Sequence, residues 1–426
     1  MEEKKYMVVI SFDGLSAADI DKLSKTKGFE ELMKEASFCR KVKSVYPSLT
    51  YPAHASISSG RYPARHKIVN NIMIQPRRRY PDWFWYRSHL EGETFYERAE
   101  EEGWTTASLF WPVSAGAKIR YNMPEVLANR PWETQITASL QAGTKAYQMD
   151  LAAKFGKYLN GISQPELDYF THNAFLYTLK NKDARLFLVH YTDLDSIRHY
   201  NGFASAEADA ALMRHAARLE DIIRTLKEKK MYEETTLVVL GDHSSKDVHS
   251  RICLNSLFRR MGYLRTDRRG VSEYEAFANV CEGSAYIYLK DGDCLPFVCK
   301  ELEKLREAGA VEAIYSSREA EEMGADPNCS LMVEAAEGYY FSDDYESEVI
   351  SGLRPGENGV VKVNGHGYHP DKKDYETVFF ISGRGVVKRR EIESMSLVDI
   401  GPTLAQILGF TMHEVDGRVL EEIISR

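Results

Sequence analysis

Asp195-Ser-Ile-Arg-His199 sets a carboxylate and an imidazole four residues apart. On a helix both lie on one face and reach one metal ion; a surface ion pair or a helix-capping aspartate has the same spacing. Asp242-His243 offers two adjacent ligand types where a strand-like run ends. His366 stands between Gly365 and Gly367, where backbone can come close to a metal or ligand, although a turn histidine looks no different. Thr50 precedes Pro52, a good first-turn residue for a helix running through Ala53 to Ser58 and stopped by Gly60. The free N–H groups at such an N-terminus favour an oxyanion or phosphate. A threonine there also serves as a plain N-cap, and Asn71 alone reads as a turn residue.

Positioning these groups takes a scaffold, and the chain writes one. Tyr6 to Phe12 is a continuous β-branched and apolar run of the kind that forms a parallel strand covered on both faces. Similar runs follow at Arg185 to His190, Thr235 to Leu240 and Thr377 to Ile381, with helix-like segments at Thr144 to Leu159, Ala206 to Lys229 and Pro402 to Leu408. This alternation predicts an α/β fold, a doubly wound, mainly parallel sheet with helices on both faces. The first three runs each end in a polar cluster: Asp13-Gly14, Tyr191 to Asp195 and Asp242-His243. Ligands of open α/β sheets bind at that carboxyl edge. From about Ser256 to Asn364 the character shifts. We expect a small α+β insertion over 256–364, with 1–255 and 365–426 forming the main unit.

A chain of 426 residues, 43% apolar and 28% charged, is globular in composition. A net charge of −8 argues against a surface that coats nucleic acid, while a small anionic substrate stays compatible with bound metal ions. No apolar run reaches the roughly 20 residues of a membrane span. The stretch Met1 to Tyr6 passes straight into a strand, so no signal peptide is expected. Six cysteines at irregular spacings read as free thiols, which makes the cytoplasm the expected compartment. Nothing in the pattern speaks to oligomeric state.

Together the marked residues resemble the alkaline phosphatase superfamily, and within it the nucleotide pyrophosphatase/phosphodiesterase branch. The matching elements are F-D-G around Asp13, Y-P-x-x-T-x-P-x-H around Thr50, I-V-N-N ending at Asn71 and D-x-x-x-H at Asp195. G-D-H ending at His243, G-H-G-Y around His366 and the stretch Ser396 to Gly409 complete the set, in the family's own order. The resemblance implies an alkaline-phosphatase-like fold and two Zn2+, with Mn2+ or iron as alternatives. Asp195, His199 and His366 would hold one ion; Asp13, Thr50, Asp242 and His243 would hold the other. Thr50 would be the nucleophile, giving a phosphothreonine-type intermediate, and the Asn71 amide with the Thr50 N–H would hold a non-bridging oxygen.

Asn71 lies 21 residues past Thr50, where the phosphodiesterase branch carries its asparagine. That favours a small phosphodiester, pyrophosphate or nucleotide substrate over a monoester, whose dianion suits an arginine fork. Arg61 and Arg65 in the same segment are expected to be solvated helix-end cations, and Arg77-Arg78-Arg79 a solvated loop. A phosphate monoesterase or phosphonoacetate-type hydrolase of the same superfamily is the alternative enzyme, and a non-catalytic metal- or nucleotide-binding protein the alternative class. A sulfatase is disfavoured because no C-x-P-x-R motif surrounds Thr50. Trp83 and Tyr86 are candidates to line the substrate pocket. Trp111-Pro112 resembles the family's W-P-G, with Val113 in the glycine position. His54, His66, His172, His190, His215, His249 and His369 are expected to be structural or surface histidines, with His369 close enough to His366 to reach the site mouth.

Overall fold

The structure, a computed structural model, describes residues 5–78, 80–355, 359 and 361–425. Its central sheet has eight strands: β1 (Tyr6–Phe12), β2 (Ser37–Lys43), β3 (Thr106–Leu109), β4 (Tyr121–Met123), β5 (Leu186–Tyr191), β6 (Thr235–Leu240), β7 (Thr377–Gly383) and β8 (Met395–Ser396). They run in the order β8-β2-β7-β6-β1-β5-β3-β4. β1 lies in parallel register between β5 and β6, so its carboxyl end meets theirs. β7 is antiparallel to both β6 and β2. Its apolar run reads like its parallel neighbours because burial on both faces, not strand direction, sets the pattern.

Alternation along β1 divides the core. Val8, Ile10 and Phe12 face one side, with Leu212, Leu219 and Ile223 of the helix α3 (Ala206–Glu228). Met7 and Val9 face the other, with Ala53 and Ile57 of α1 (Thr50–Ser59) and Leu404 of α4 (Ile400–Leu408). A doubly wound layer with helices on both faces results. α1 begins at Thr50 and ends on Gly60, whose φ of 67° closes the helix in the left-handed region that glycine enters freely. The C-terminal segment braces this end: the N–H groups of Asp416 and Gly417 donate to the Gly60 carbonyl, and Tyr62 N–H donates to Asp416 Oδ2.

A second, four-stranded antiparallel sheet lies inside 256–364, formed by Ala276–Cys281, Ser284–Leu289, Val311–Ser316 and Leu331–Ala335, with the helix Leu295–Glu307. The short strand Ser250–Ile252, just before this stretch, pairs with Tyr339–Phe341 and Ile350–Gly352 within it.

One buried ion pair fixes the main sheet to the helix α2 (Asp193–Asn201), which follows β5. Arg198 is 1% exposed; its guanidinium donates to both carboxylate oxygens of Asp19 at 2.6 and 3.1 Å and to the Gly14 carbonyl at 2.7 Å. The Asp13-Gly14 turn and the helix bearing Asp195 and His199 are thereby locked together. Replacing Arg198 by Met strands a buried carboxylate, so urea unfolding is expected to show a loss of about 3–5 kcal/mol. A loss below about 1 kcal/mol would show that the pair does not carry this seam.

Candidate metal centre

Three strand ends deliver the acids. Asp13 follows β1 directly, Asp242 lies two residues beyond β6, and Asp195 sits in the first turn of α2 beyond β5. The helical condition on Asp195 and His199 is met: one turn apart on α2, Asp195 Oδ2 and His199 Nε2 are 3.1 Å apart. His366 Nε2 is 3.8 Å from Asp195 Oδ1, which makes Asp195, His199 and His366 one potential ligand set. Asp13, Asp242 and His243 form a second, with His243 Nε2 3.3 Å from Asp13 Oδ1 and 3.4 Å from Asp242 Oδ2. The His243 and His366 rings stack with centroids 3.9 Å apart, so the two sets adjoin. Thr50 Oγ1 lies 3.3 Å from His243 Nε2 and joins the second set. All seven residues marked in the sequence therefore meet in one place.

The donor chemistry fits cations. Each of the three histidines turns Nδ1 toward a backbone carbonyl: His199 toward Asn364 at 2.9 Å, His243 toward Ser244 at 3.1 Å and His366 toward Ser48 at 3.2 Å. Donation there fixes a proton on Nδ1 and turns each Nε2 toward the acids, the nitrogen through which a cation would be held. Asp13 Oδ1, Asp195 Oδ1 and Asp242 Oδ2 are buried with no hydrogen bond, while Asp242 Oδ1 accepts the N–H groups of Gly14 and His243. Burial, together with Asp195, pushes the Asp13 carboxyl up to about 6, and burial with Asp13 raises Asp242. Acting against burial, Asp242 and Asp13 hold His243 up at about 10. Acids this short of positive charge attract protons or cations, and the geometry presents them for cations.

α1 brings one open donor. Its N-cap Leu49 has no side-chain hydrogen bond to give. Tyr51 N–H donates to Asn71 Oδ1 at 2.9 Å, Pro52 has no N–H, and Ala53 N–H returns to the Leu49 carbonyl. Thr50 N–H is the first-turn donor left over. Asn71 is anchored through Oδ1, which leaves its NH2 as a further donor. The helix is held from behind by His54, which bonds the Thr50 carbonyl through Nδ1 at 2.8 Å and Ser11 Oγ through Nε2 at 2.9 Å, and by Trp111, whose indole N–H donates to Ser58 Oγ.

Trp83 and Tyr86 line a common cavity of about 340 Å³ with Trp85 and His89. Trp83 meets the Tyr51 ring edge-on at 5.4 Å, one residue from Thr50. Val113 keeps a glycine-like φ of 57° although it is buried.

Several expectations need correction. Arg61 is not solvated: it is 9% exposed and pairs with Glu414 at 3.0 Å, whereas Arg65 is the exposed helix-end cation expected, paired with Asp416 of the C-terminal segment. Arg77 is exposed, as a solvated loop requires, with Asp267 as its ion partner, while Arg78 is partly buried against Asp82; Arg79 lies outside the described residues. His369 packs its ring on Tyr46 at 4.9 Å. His190 is not a satisfied histidine. Both its ring nitrogens lack hydrogen bonds, and Nε2 lies 3.3 Å from Asp13 Oδ2. With His54 and Asp242 it makes a third cluster of ligand types, but the hydrogen bonds of His54 already occupy both of its nitrogens.

Two acids escape the sequence reading. Glu125 faces the Tyr51 hydroxyl, and burial with Asp13 nearby raises its carboxyl to about 8. Glu282 lies beside His366. The Glu-Gly pair between two alternating runs at 276–289 was the available hairpin signal for the latter.

Fold and site together define an alkaline-phosphatase-like α/β protein with paired cation-ligand clusters. Residues 7–370 match the family model described as type I phosphodiesterase / nucleotide pyrophosphatase, and the chain belongs to that family. It is 21% identical over 425 residues to human ectonucleotide pyrophosphatase/phosphodiesterase family member 5, covering 96% of this chain and 75% of that protein. To human family member 1 it is 23% identical over 230 residues, half of this chain and 20% of that longer protein. Against venom phosphodiesterase of Crotalus durissus collilineatus the match likewise spans only 27% of the relative. The solved murine family member 5, an inactive threonine-to-alanine variant in complex with AMP, superposes with a TM-score of 0.69 at 18% identity, covering 99% of this chain and all of that one.

Adding a divalent cation to chelator-treated protein is expected to raise its unfolding free energy, by about 2.7 kcal/mol per site once the free cation reaches 100 times Kd. A thermal melt indifferent to cation would mean that protons, not metal, satisfy the acids.

Proposed function

We propose that this protein is a two-zinc phosphohydrolase that cleaves phosphodiester or pyrophosphate bonds, nucleotides among its substrates, with Thr50 as the nucleophile. The convergence of seven ligand-type residues on the N-terminus of α1 is the observation that carries this reading. Zn2+ suits the mix of carboxylate and imidazole, with Mn2+ or iron as substitutes. Asp195, His199 and His366 would hold one ion, and Asp13, Asp242, His243 and Thr50 the other; bound there, the pair supplies positive charge for the attacking and leaving oxygens.

Thr50 Oγ1 loses its proton and attacks phosphorus in line with the bond to the leaving oxygen, which departs with its electron pair as that bond breaks. The phosphothreonine so formed is cleaved by water, which restores the hydroxyl and releases the phosphate product. Thr50 N–H and the Asn71 amide hold a non-bridging oxygen throughout, where preorganised donors act most strongly on developing charge. Trp83 and Tyr86 offer ring faces for a nucleobase, worth about 1–3 kcal/mol per stacked base.

A diester is favoured over a monoester by the two arginines of this segment, which are committed to Glu414 and Asp416 and offer the phosphate no fork. The inactive threonine variant of the murine neighbour supports a threonine-dependent reaction, and six free cysteines support a reducing compartment such as the cytoplasm. Among the described residues no helix is long and apolar enough to cross a membrane.

The zinc-loaded enzyme is expected to turn over a bis-nitrophenyl diester at least tenfold faster, by kcat/KM, than the nitrophenyl monoester. The reverse order would favour the monoesterase reading. Thr50→Ala is expected to keep both ions in elemental analysis yet lose at least about 1,000-fold in kcat, as loss of a nucleophile does. Near wild-type turnover would rule out attack by Thr50.

A further inference from the structure

A hairpin of the insertion reaches the metal centre through one carboxylate, Glu282. Strands Ala276–Cys281 and Ser284–Leu289 pair with Cys281 opposite Ser284, so Glu282 and Gly283 alone make the turn. Two-residue hairpins need a positive φ at their first position, where glycine, asparagine or aspartate is preferred. Here that position is glutamate at φ 60°, and the glycine comes second. A side chain kept in a sparsely populated backbone region is a pointer to function when its own contacts explain why it stays.

Those contacts converge on the metal-ligand turn. Glu282 Oε2 accepts the His366 N–H at 3.2 Å and lies 4.0 Å from His366 Nε2, the nitrogen left free for a cation. Glu282 Oε1 pairs with Lys362 Nζ at 2.5 Å. Backbone closes the joint: Gly283 N–H donates to the His366 carbonyl at 2.8 Å, and Ser284 Oγ donates to the Gly367 carbonyl at 2.7 Å. A Cβ on Gly367 would sit 1.8 Å from the Cys281 carbonyl oxygen, and one on Gly365 would sit 2.9 Å from Glu282 Oε2. The glycines flanking His366 thus admit the insertion hairpin to the site.

We propose that Glu282 is a positioning residue for the cation site of Asp195, His199 and His366. It orients His366 through the backbone and adds a second carboxylate charge at that site, with Lys362 as the cation that metal binding opposes. The proposal rests on reading those three residues as a metal site. By charge, Asp195 with two neutral imidazoles leaves a bound divalent ion under-neutralised; Glu282 supplies the missing unit from outside the ligand set, as carboxylates next to ligating histidines do.

Zinc titration of the chelator-stripped full chain, by competition with a fluorescent chelator, tests this without measuring catalysis. Glu282→Gln keeps the shape and an acceptor for His366 N–H but removes the charge. One of the two binding steps is expected to weaken about 10- to 100-fold while the other holds. Lys362→Met removes the opposing cation and is expected to tighten that same step several-fold. Opposite signs are the signature, since a purely structural ion pair would lower the melting temperature in both variants and leave both steps alone. Unchanged steps in Glu282→Gln, or equal weakening of both, overturn the proposal while leaving the two-metal reading intact. Should Glu282→Gln not fold, an unchanged or weakened step in Lys362→Met overturns it. A wild-type chain that takes up no zinc overturns both.

Discussion

Two carboxylates, Asp13 and Asp242, are buried against one another at the end of a sheet with a third, Asp195, in the adjoining cluster, and the groups nearby answer to that concentration of negative charge. Folding alone cannot make this arrangement comfortable: each acid leaves an oxygen without a hydrogen bond. The cost is borne by a rigid frame. β1, β5 and β6 are adjacent and parallel, so the chain emerges three times at one edge, and Arg198 ties the first exit to the helix after the second. Such pre-built strain is what a centre designed to capture cations requires, because affinity then comes from relief of repulsion as well as from coordination.

The histidines repeat the logic with the opposite polarity. Each spends Nδ1 on a carbonyl, so each presents Nε2 to the acids, and on His243 that nitrogen holds the proton a cation would displace. The same economy governs α1. Of its first-turn donors, one is taken by Asn71, one is missing in Pro52 and one returns to Leu49. What remains is a single N–H beside a single hydroxyl.

Much of this was legible in the chain. β1 and β6 fall on the residues their apolar runs mark, and α1 starts at Thr50 and stops on Gly60, because strand burial and helix termini are local matters. The spacing of Asp195 and His199 needed only a helix, which Asp193–Asn201 supplies. What escaped depends on partners far away in sequence. Arg61 looks like a surface cation until Glu414 is brought to it. His190 looks like any strand histidine until Asp13 arrives beside it. Glu282 reads as a turn residue until Gly365 and Gly367 bend the chain around it. The direction of β7 was invisible because a strand buried on both faces carries the same composition either way.

The clamp of the C-terminal segment on Gly60 and its arginine neighbours makes a lever of α1, which carries Thr50 at its other end. Ten residues span about 15 Å, so a pivot of only about 4° at the clamped end swings the far tip by roughly 1 Å. Displacements of that size are enough to cost an enzyme about two orders of magnitude. Residues 414–417 therefore hold the end of α1 opposite Thr50, so the bearing of that hydroxyl is set a full helix length away from it.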